Sequence, residues 1–389
     1  LVRDLQGSKM SKSLGNSPDP TQVMKQFGAD ALRFTMTMLS PQGQDVYYSN
    51  EKVELGRNFC NKIWNATRFV FSNLPEKGEG REAKAESGGL ELADRWILSR
   101  LNQTIRALTN SLQEYRFDEA AHCIYDFFWH EYCDWYLELI KPRLCQSSAE
   151  KGSKSARRLA AKVLRVSMQL LHPFMPFISE DIWHRLNAGE NGTSIMISSW
   201  PQCDQQAVDE TAEKEMFLLQ EFIVAIRNIR AEMNIPPDRK ADVMVRVSDK
   251  GSLRLIQNHE GYITNLAKAQ NLCAGPEVNK PHQHCATAVV KGMEVFVPLA
   301  GLIDLDRERE RLEREVERLS EQLKRLCGRL EDGNFLKKAP AEVVKKERQK
   351  HLDCRENLEK LLVNLRALGK VQGNKGAGEQ RGREKIRDI

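Results

Sequence analysis

Leu312-Glu313-Arg314-Glu315-Val316-Glu317-Arg318-Leu319 opens a run in which Leu312, Val316, Leu319, Leu323, Leu326 and Leu330 fall alternately four and three residues apart. That spacing is a heptad seam, the pattern of a long helix that buries one narrow stripe against another helix. Gly333-Asn334 and Pro340 interrupt it. Beyond the break Val344, His351, Leu358 and Leu365 recur every seven residues, with Cys354, Leu361 and Leu368 on the interleaved seven. Two arms of similar length about a short break predict an antiparallel helical hairpin, each arm about 26 residues and roughly 39 Å long at 1.5 Å per residue. The second arm is basic. Between residues 337 and 370 it carries ten Lys or Arg, beginning with Lys337, Lys338, Lys345 and Lys346, against five acids. A coiled coil with such a flank either dimerises or grips RNA, and the internal break favours pairing within one chain. Residues 371–389, rich in Gly and charge, read as a disordered tail.

N-terminal to the hairpin the pattern changes twice. Asp242 to Val247 alternates like a strand, as does Ala288 to Val297, and a helix of about 251–269 between them completes a small α+β unit. Further upstream the periods are helical. Gly56 to about Leu74 places Phe59, Ile63, Ala66 and Val70 on one face, and a loop of 75–89 follows. Ile97, Leu101, Ile105, Leu108 and Leu112 form the stripe of a buried helix. The segment from Phe117 to Ile140 holds Phe127, Phe128, Trp129, Tyr132, Trp135 and Tyr136 and is predicted to stop at Pro142. Those aromatics either stack on bases or fill a core, and their helical spacing favours the core. A Ser/Lys loop of 146–154 leads to helices of about 155–171 and 177–186. His172 and His184 have no partner at metal-ligand spacing and read as structural. A last long helix, 211–234, turns Phe217, Leu218, Phe222, Ile226 and Ile229 inward. Its Arg227 and Arg230, three apart on one face beside Asn228, read either as part of a solvated face, the default, or as contacts with an RNA backbone.

The N-terminal segment is chemically the most specific. Lys9-Met10-Ser11-Lys12-Ser13 sets two lysines three apart among hydroxyls, followed by Leu14-Gly15-Asn16 and a Pro18-Asp19-Pro20 turn that starts a helix. Two cations on a Gly-flanked loop can close over an extended polyphosphate as charge develops on its bridging oxygens. Each lysine acts there as a mobile point charge. A solvated loop has much the same composition, so the literal string decides between the two.

That string, KMSKS followed by LGN, resembles the second ATP-binding motif of the class I aminoacyl-tRNA synthetases. The likeness extends along the chain. Gly28-Ala29-Asp30-Ala31-Leu32-Arg33-Phe34 resembles the stretch after the loop in synthetases for branched aliphatic amino acids. Gly56 to Asn65 is similar to the helix leading into their anticodon-binding bundle, and His172-Pro173-Phe174-Met175-Pro176-Phe177-Ile178-Ser179-Glu180 to a core turn of that bundle. Val297 to Asp304 and Asn334 to Val344 look like the valyl branch of bacterial type. The resemblance covers residues 1 to about 370. It implies a mainly α chain: residues 1–55 as the loop and stem-contact unit, 56–240 as an anticodon-binding helical bundle, 241–300 as a small α+β junction, and 301–370 as a coiled-coil tRNA-binding arm.

The function so implied is the C-terminal part of a valine–tRNA ligase, which joins valine to tRNA(Val) in an ATP-dependent reaction, with magnesium carried on the nucleotide. Lys9 and Lys12 would stabilise the pyrophosphate leaving group, Met10 would anchor the loop, and Ser11 and Ser13 would give hydroxyl hydrogen bonds. No HIGH-type motif, GxGxxG or P-loop occurs in the sequence. The resemblance therefore places the nucleotide-binding and editing domains before Leu1 and implies no ligase activity for this segment alone. An isoleucyl- or leucyl-type synthetase segment and a non-catalytic tRNA-binding module are the rival readings. Nine cysteines include no C-x-x-C pair, so zinc knuckles and a protein-bound metal are not expected. No apolar run nears the roughly 18 residues that cross a bilayer. A net charge of +5 is too mild by itself to identify a nucleic-acid partner. A cytoplasmic monomer is the expected state.

Overall fold

A computed structural model describes residues 1–74, 89–145, 151–186, 193–281, 284–332, 335 and 339–368. The expected loop of 75–89, except Gly89, and the expected tail of 371–389 lie outside the described residues, as do Lys337 and Lys338. The chain divides into two compact units, Leu1–Met216 and Phe217–Ile389.

The first unit is helical apart from a two-stranded parallel ladder, β1 (Val2–Arg3) against β2 (Val46–Tyr47). Asp19 caps α1 (Pro20–Phe27): its carboxylate accepts from the Thr21 N–H at 2.9 Å, with Pro20 as the first helical residue, as the sequence predicts. Next come α2 (Ala29–Met38) and α3 (Asn50–Ser72). The α3 helix starts six residues before Gly56, because Ser49 accepts from the Lys52 N–H and so supplies an N-cap. Gly56 thus lies inside the helix, where it lets α3 approach α2. A Cβ there would stand 2.4 Å from the Ala31 carbonyl oxygen and 2.4 Å from Thr35 Oγ1.

The bundle continues with α4 (Leu92–Gln113), α5 (Phe117–Asp126), α6 (Leu137–Leu144), α7 (Lys151–Leu171) and α8 (Pro176–Leu186). Phe127–Tyr136, between α5 and α6, is wound as a π-helix, a wider coil that sequence periodicity did not reveal. Its Phe127, Phe128, Tyr132 and Tyr136 are buried, so these four fill the core; Trp129 and Trp135 are half-buried. Pro142 does not end the helix. Arg143, one residue on, is drawn inward by the buried Asp94 (2.8 Å), which also accepts from the Tyr136 hydroxyl at 3.1 Å. The helix continues through Pro142 to Leu144 although the proline lacks one amide donor. Burial pushes the Asp94 carboxyl up, and Arg143 opposes the shift. The Ser/Lys loop expected up to residue 154 is shorter, since α7 begins at Lys151. Burial pushes the thiols of Cys60 and Cys133 up to about 12, which leaves them acting as small hydrophobes.

The second unit contains most of α9 (Glu210–Glu232) and a four-stranded sheet in the order β4 (Ala269–Gly275), β3 (Ala241–Arg246), β6 (Met293–Pro298), β5 (Cys285–Val290). Phe217, expected inward, is 52% exposed with Lys291 over its ring, while Leu219, Phe222, Ile223 and Ile226 form the buried stripe. The strand expected over Ala288–Val297 is a hairpin, because Lys291 and Gly292 both take positive φ (47° and 83°) and reverse the chain. The helix expected over 251–269 is two, α10 (Lys250–Asn258) and α11 (Glu260–Leu266), and β4 follows them. The two arms, Leu305–Glu331 and Ala341–Ala367, pair antiparallel: Cys354 Sγ lies 3.6 Å from the Leu319 carbonyl oxygen, and Cys327 Sγ lies 3.4 Å from His351 Nε2. Val316, Leu319, Leu323, Leu326, Cys354 and Leu358 form the seam between them. At the root, His284 Nδ1 (2.7 Å) and the Arg309 guanidinium (3.0 Å) both meet the Leu368 carbonyl oxygen at the end of the second arm.

A buried carboxylate helps tie α2 to the bundle. The Asp30 side chain, 6% exposed, accepts from the Phe177 (3.3 Å) and Ile178 (2.7 Å) amides in the first turn of α8. Asp30→Ala is expected to lower stability by about 1–2 kcal/mol, since it leaves first-turn donors unmade. Asp30→Asn should retain more than half of that. Urea midpoints of the two variants measure both, and equal losses would show that hydrogen-bond acceptance is not what Asp30 supplies.

Candidate active-site loop and nucleic-acid surface

The lysine loop is held by backbone and by one asparagine. Met10 N–H donates to the Val2 carbonyl at 3.0 Å, which lays residue 10 along β1. The half-buried Met10 side chain packs on a cluster of Val23, Phe27, Ala31, Tyr48 and Val53. Lys12–Leu14 then form one 3-10 turn capped by Ser11, whose Oγ accepts from the Leu14 N–H (3.3 Å) and lies 3.1 Å from Ser13 Oγ. Gly15, at φ +65°, closes the turn with its N–H on the Lys12 carbonyl (3.2 Å). A left-handed residue is needed there, and glycine adopts it without strain.

Asn16 completes the loop. Its amide nitrogen donates to the Asp4 carboxylate (2.9 Å) and the Lys9 carbonyl (3.2 Å), and its Oδ1 accepts from the Ser11 N–H (2.9 Å). Asp4 also accepts from the Gln6 and Ser8 amides. The hydrogen bond from Asn16, with those amides, holds its carboxyl below the ordinary value. Asn16 and Asp4 were not foreseen as site residues. Their signal was the Asn after Gly15 and the Asp four residues before Ser8, both suited to bonding nearby backbone. Lys9, Lys12 and Ser13 are exposed, and among the described residues no carboxylate pairs with either ammonium. The arrangement is a braced turn that presents two uncompensated positive charges to solvent. A polyphosphate is a chemically matched ligand for it.

The candidate RNA contacts separate on inspection. Arg230 is 7% exposed, and its guanidinium donates to the carbonyls of Arg239 (2.7 Å), Pro236 (3.1 Å) and Lys268 (3.4 Å). It braces the chain after α9 and is not available to a phosphate, which corrects the expectation for this residue. Arg227 is exposed and donates through Nε to the Leu266 carbonyl at 2.9 Å. Lys345 and Lys346 lie exposed on the second arm, with no carboxylate partner among the described residues. Among the described residues, no group of three or more His, Cys, Asp or Glu is placed to hold a metal ion, and no helix is long and apolar enough to cross a membrane.

Comparison with known proteins follows the same three parts. The family model of class I tRNA synthetases (I, L, M and V) matches residues 1–49, and that of the anticodon-binding domain of tRNA ligases matches 94–245. The valyl-tRNA synthetase tRNA-binding arm matches 304–369. The valine–tRNA ligase of Bacillus cereus (strain ATCC 10987 / NRS 248) is 44% identical over 371 residues, 95% of this chain and 41% of that protein. That of Listeria innocua serovar 6a is 41% identical over the same shares. The chain is homologous to the valine–tRNA ligases. It spans about two fifths of the length of these relatives. Among solved structures, a LeuRS–tRNA–LeuAMS ternary complex of Agrobacterium radiobacter K84 overlaps 70% of this chain and 31% of its own at 18% identity, with a TM-score of 0.42. With the valine–tRNA ligases as reference, the lysine loop falls in the class I match, α4 through β3 in the anticodon-binding match, and both arms in the tRNA-binding match.

Asn16→Ala should loosen the loop without unfolding the chain. Amide hydrogen exchange over residues 9–14 is expected to rise at least tenfold while the urea midpoint moves little, because the three hydrogen bonds it removes are local to the loop and none is fully buried. Unchanged exchange would mean that Met10 alone fixes the loop.

Proposed function

We propose that this chain acts as part of a valine–tRNA ligase, supplying the lysine loop that closes on ATP and the surfaces that hold tRNA(Val). The observation carrying this reading is that loop, bundle and valyl-type arm occur in that order on one chain, at 41–44% identity across 95% of its length. When valine displaces pyrophosphate from ATP, negative charge builds on the departing bridging oxygen. Lys9 and Lys12, exposed on a braced turn, meet that charge better than the ground state does, so their effect is on rate more than on binding. Ser11 is committed to capping the turn through Leu14, and Ser13, exposed and 3.1 Å from Ser11 Oγ, is the hydroxyl that turns to the nucleotide. Magnesium enters with the nucleotide. The helical bundle reads the anticodon region, and the arm adds phosphate contacts through Lys345 and Lys346. A cytoplasmic, monomeric enzyme is part of the same reading.

In the full-length enzyme, Lys12→Ala is expected to slow valine-dependent ATP–pyrophosphate exchange by at least about a hundredfold, some 2.7 kcal/mol of transition-state stabilisation, with little change in valine affinity. Exchange within threefold of wild type would remove the loop from the chemistry.

Lys345→Ala with Lys346→Ala tests the arm. If both meet phosphates, tRNA(Val) affinity should fall and the log–log salt slope should flatten by about 0.7–0.9 for each phosphate no longer engaged. Valine activation, which needs no tRNA, should stay near normal. An unchanged slope at two salt concentrations would make the arm a brace only.

A further inference from the structure

Where the chain leaves α9 and enters the first arm, the second unit contains a groove of about 720 Å³. Its floor is apolar: Met233, 1% exposed, with Pro236, Leu302 and Ile303. One wall is a single face of the first arm, on which residues 304, 307, 308, 311 and 314 succeed one another turn by turn. Arg307, Arg311 and Arg314 stand on that wall, and Arg239, which donates to the Gly301 carbonyl at 2.7 Å, also lines the groove. Among the described residues that line the groove, the acids are Asp304 and Glu308.

The acids are already occupied. Asp304 caps the first arm by accepting from the Arg307 N–H (3.2 Å). Glu308, 8% exposed, takes both the Arg311 fork (2.6–3.0 Å) and the amide of Asn234 (3.1 Å). Asn234 adopts a left-handed backbone (φ 48°), which ends the α9 turn and aims its side chain at Glu308. Arg311 is therefore neutralised and fixed. Arg314 donates through Nε to the Glu310 carbonyl (3.1 Å) and meets the Glu310 carboxylate at 3.8 Å, with both side chains over 70% exposed, an ion pair worth little that leaves the rest of the guanidinium open to a ligand. Arg307, exposed, has no carboxylate partner among the described residues. Arg307 and Arg314 are two turns apart, about 10.5 Å along the helix axis, within reach of one phosphate or of two neighbouring ones for such long side chains. The partial positive charge at the helix start adds to them.

We infer that this groove is a docking site for an unpaired nucleotide of an RNA strand, with its phosphate on Arg307 and Arg314 and its ribose and base over Met233, Pro236, Leu302 and Ile303. A cationic rim over an apolar floor suits a nucleotide. The volume accommodates a single splayed-out unit, whereas double-stranded RNA is recognised across its shallow minor groove by shape. No aromatic ring lines the groove, so binding is expected to be tolerant of base identity. The inference rests on the tRNA-binding reading and deepens it by assigning a place that the basic second arm does not include.

The test uses the 389-residue chain and a fluorescein-labelled uridine hexamer. Arg307→Ala with Arg314→Ala should weaken hexamer binding at least tenfold and flatten its salt slope by about 0.7 for each phosphate released, with the circular dichroism of the arm unchanged. Arg307→Lys with Arg314→Lys should recover part of the loss. Arg325→Ala, an exposed arginine further along the first arm and outside the groove, should leave hexamer binding within threefold. Hexamer binding that is absent, insensitive to Arg307 and Arg314, or displaced equally well by hexaglutamate would overturn the site. Binding of a tRNA(Val) transcript separates the two levels. If the hexamer depends on the two arginines but the chain does not prefer tRNA(Val), the broader reading fails and the groove stands. If tRNA(Val) binds normally and the hexamer ignores the arginines, the groove fails alone.

Discussion

A carboxylate placed inside a protein is costly unless its oxygens are satisfied, and Asp30 is placed there all the same. Its two amide donors are the opening N–H groups of α8, which would otherwise lack acceptors. Burial pushes its carboxyl up, and the two amides act against that shift. The lysine loop is connected to this bond through a short chain of contacts. Met10 leans on the cluster that contains Ala31, and Ala31 is the neighbour of Asp30 in α2. Gly56 brings α3 against the same turn of α2. Loop, α2, α3 and the His172–Pro176 turn therefore share one local frame within the first unit.

The helical parts of this frame were legible because burial on one side of a helix leaves a 3.6-residue trace. Ile97, Leu101, Ile105 and Leu108 show it in α4, and the seam from Leu312 to Leu326 shows it in the first arm. Elements decided by backbone conformation or by a distant partner left weaker traces. The β5–β6 hairpin depends on left-handed residues at Lys291 and Gly292, and only the glycine signals that in the sequence. The π-helical Phe127–Tyr136 has ordinary helix-forming neighbours. Its extra coil is visible only once its aromatic side chains are seen packed, with the Tyr132 hydroxyl on the Ala160 carbonyl at 2.8 Å. In the sequence Gly56 looks like a boundary of α3, whereas in the structure it lies inside the helix and permits close approach.

At the loop, the five residues that carry charge and hydroxyls were evident from their string, while the two that shape it were not. Asn16 and Asp4 act through backbone amides, and such roles leave no periodic mark. The arginines show the converse. Arg227 and Arg230 look alike in sequence, yet one is exposed and the other is consumed by three carbonyls, because the chain after α9 folds back over it. Charge alone locates a basic element; accessibility decides which of its members can meet a ligand.

The grip of His284 and Arg309 on the Leu368 carbonyl has a mechanical meaning. Within the second unit it fixes the second arm where that arm ends, beside the start of the first. A pair of helices fastened at one end behaves as a cantilever: a rotation of about 5° at the root moves the far end of a 27-residue arm, about 40 Å long, by about 3.5 Å. Small adjustments of the Leu368 anchorage are thereby converted into displacements the size of a hydrogen-bond length or more at the tip. The root sets the aim of the arm, and substitutions there act on surfaces they never touch.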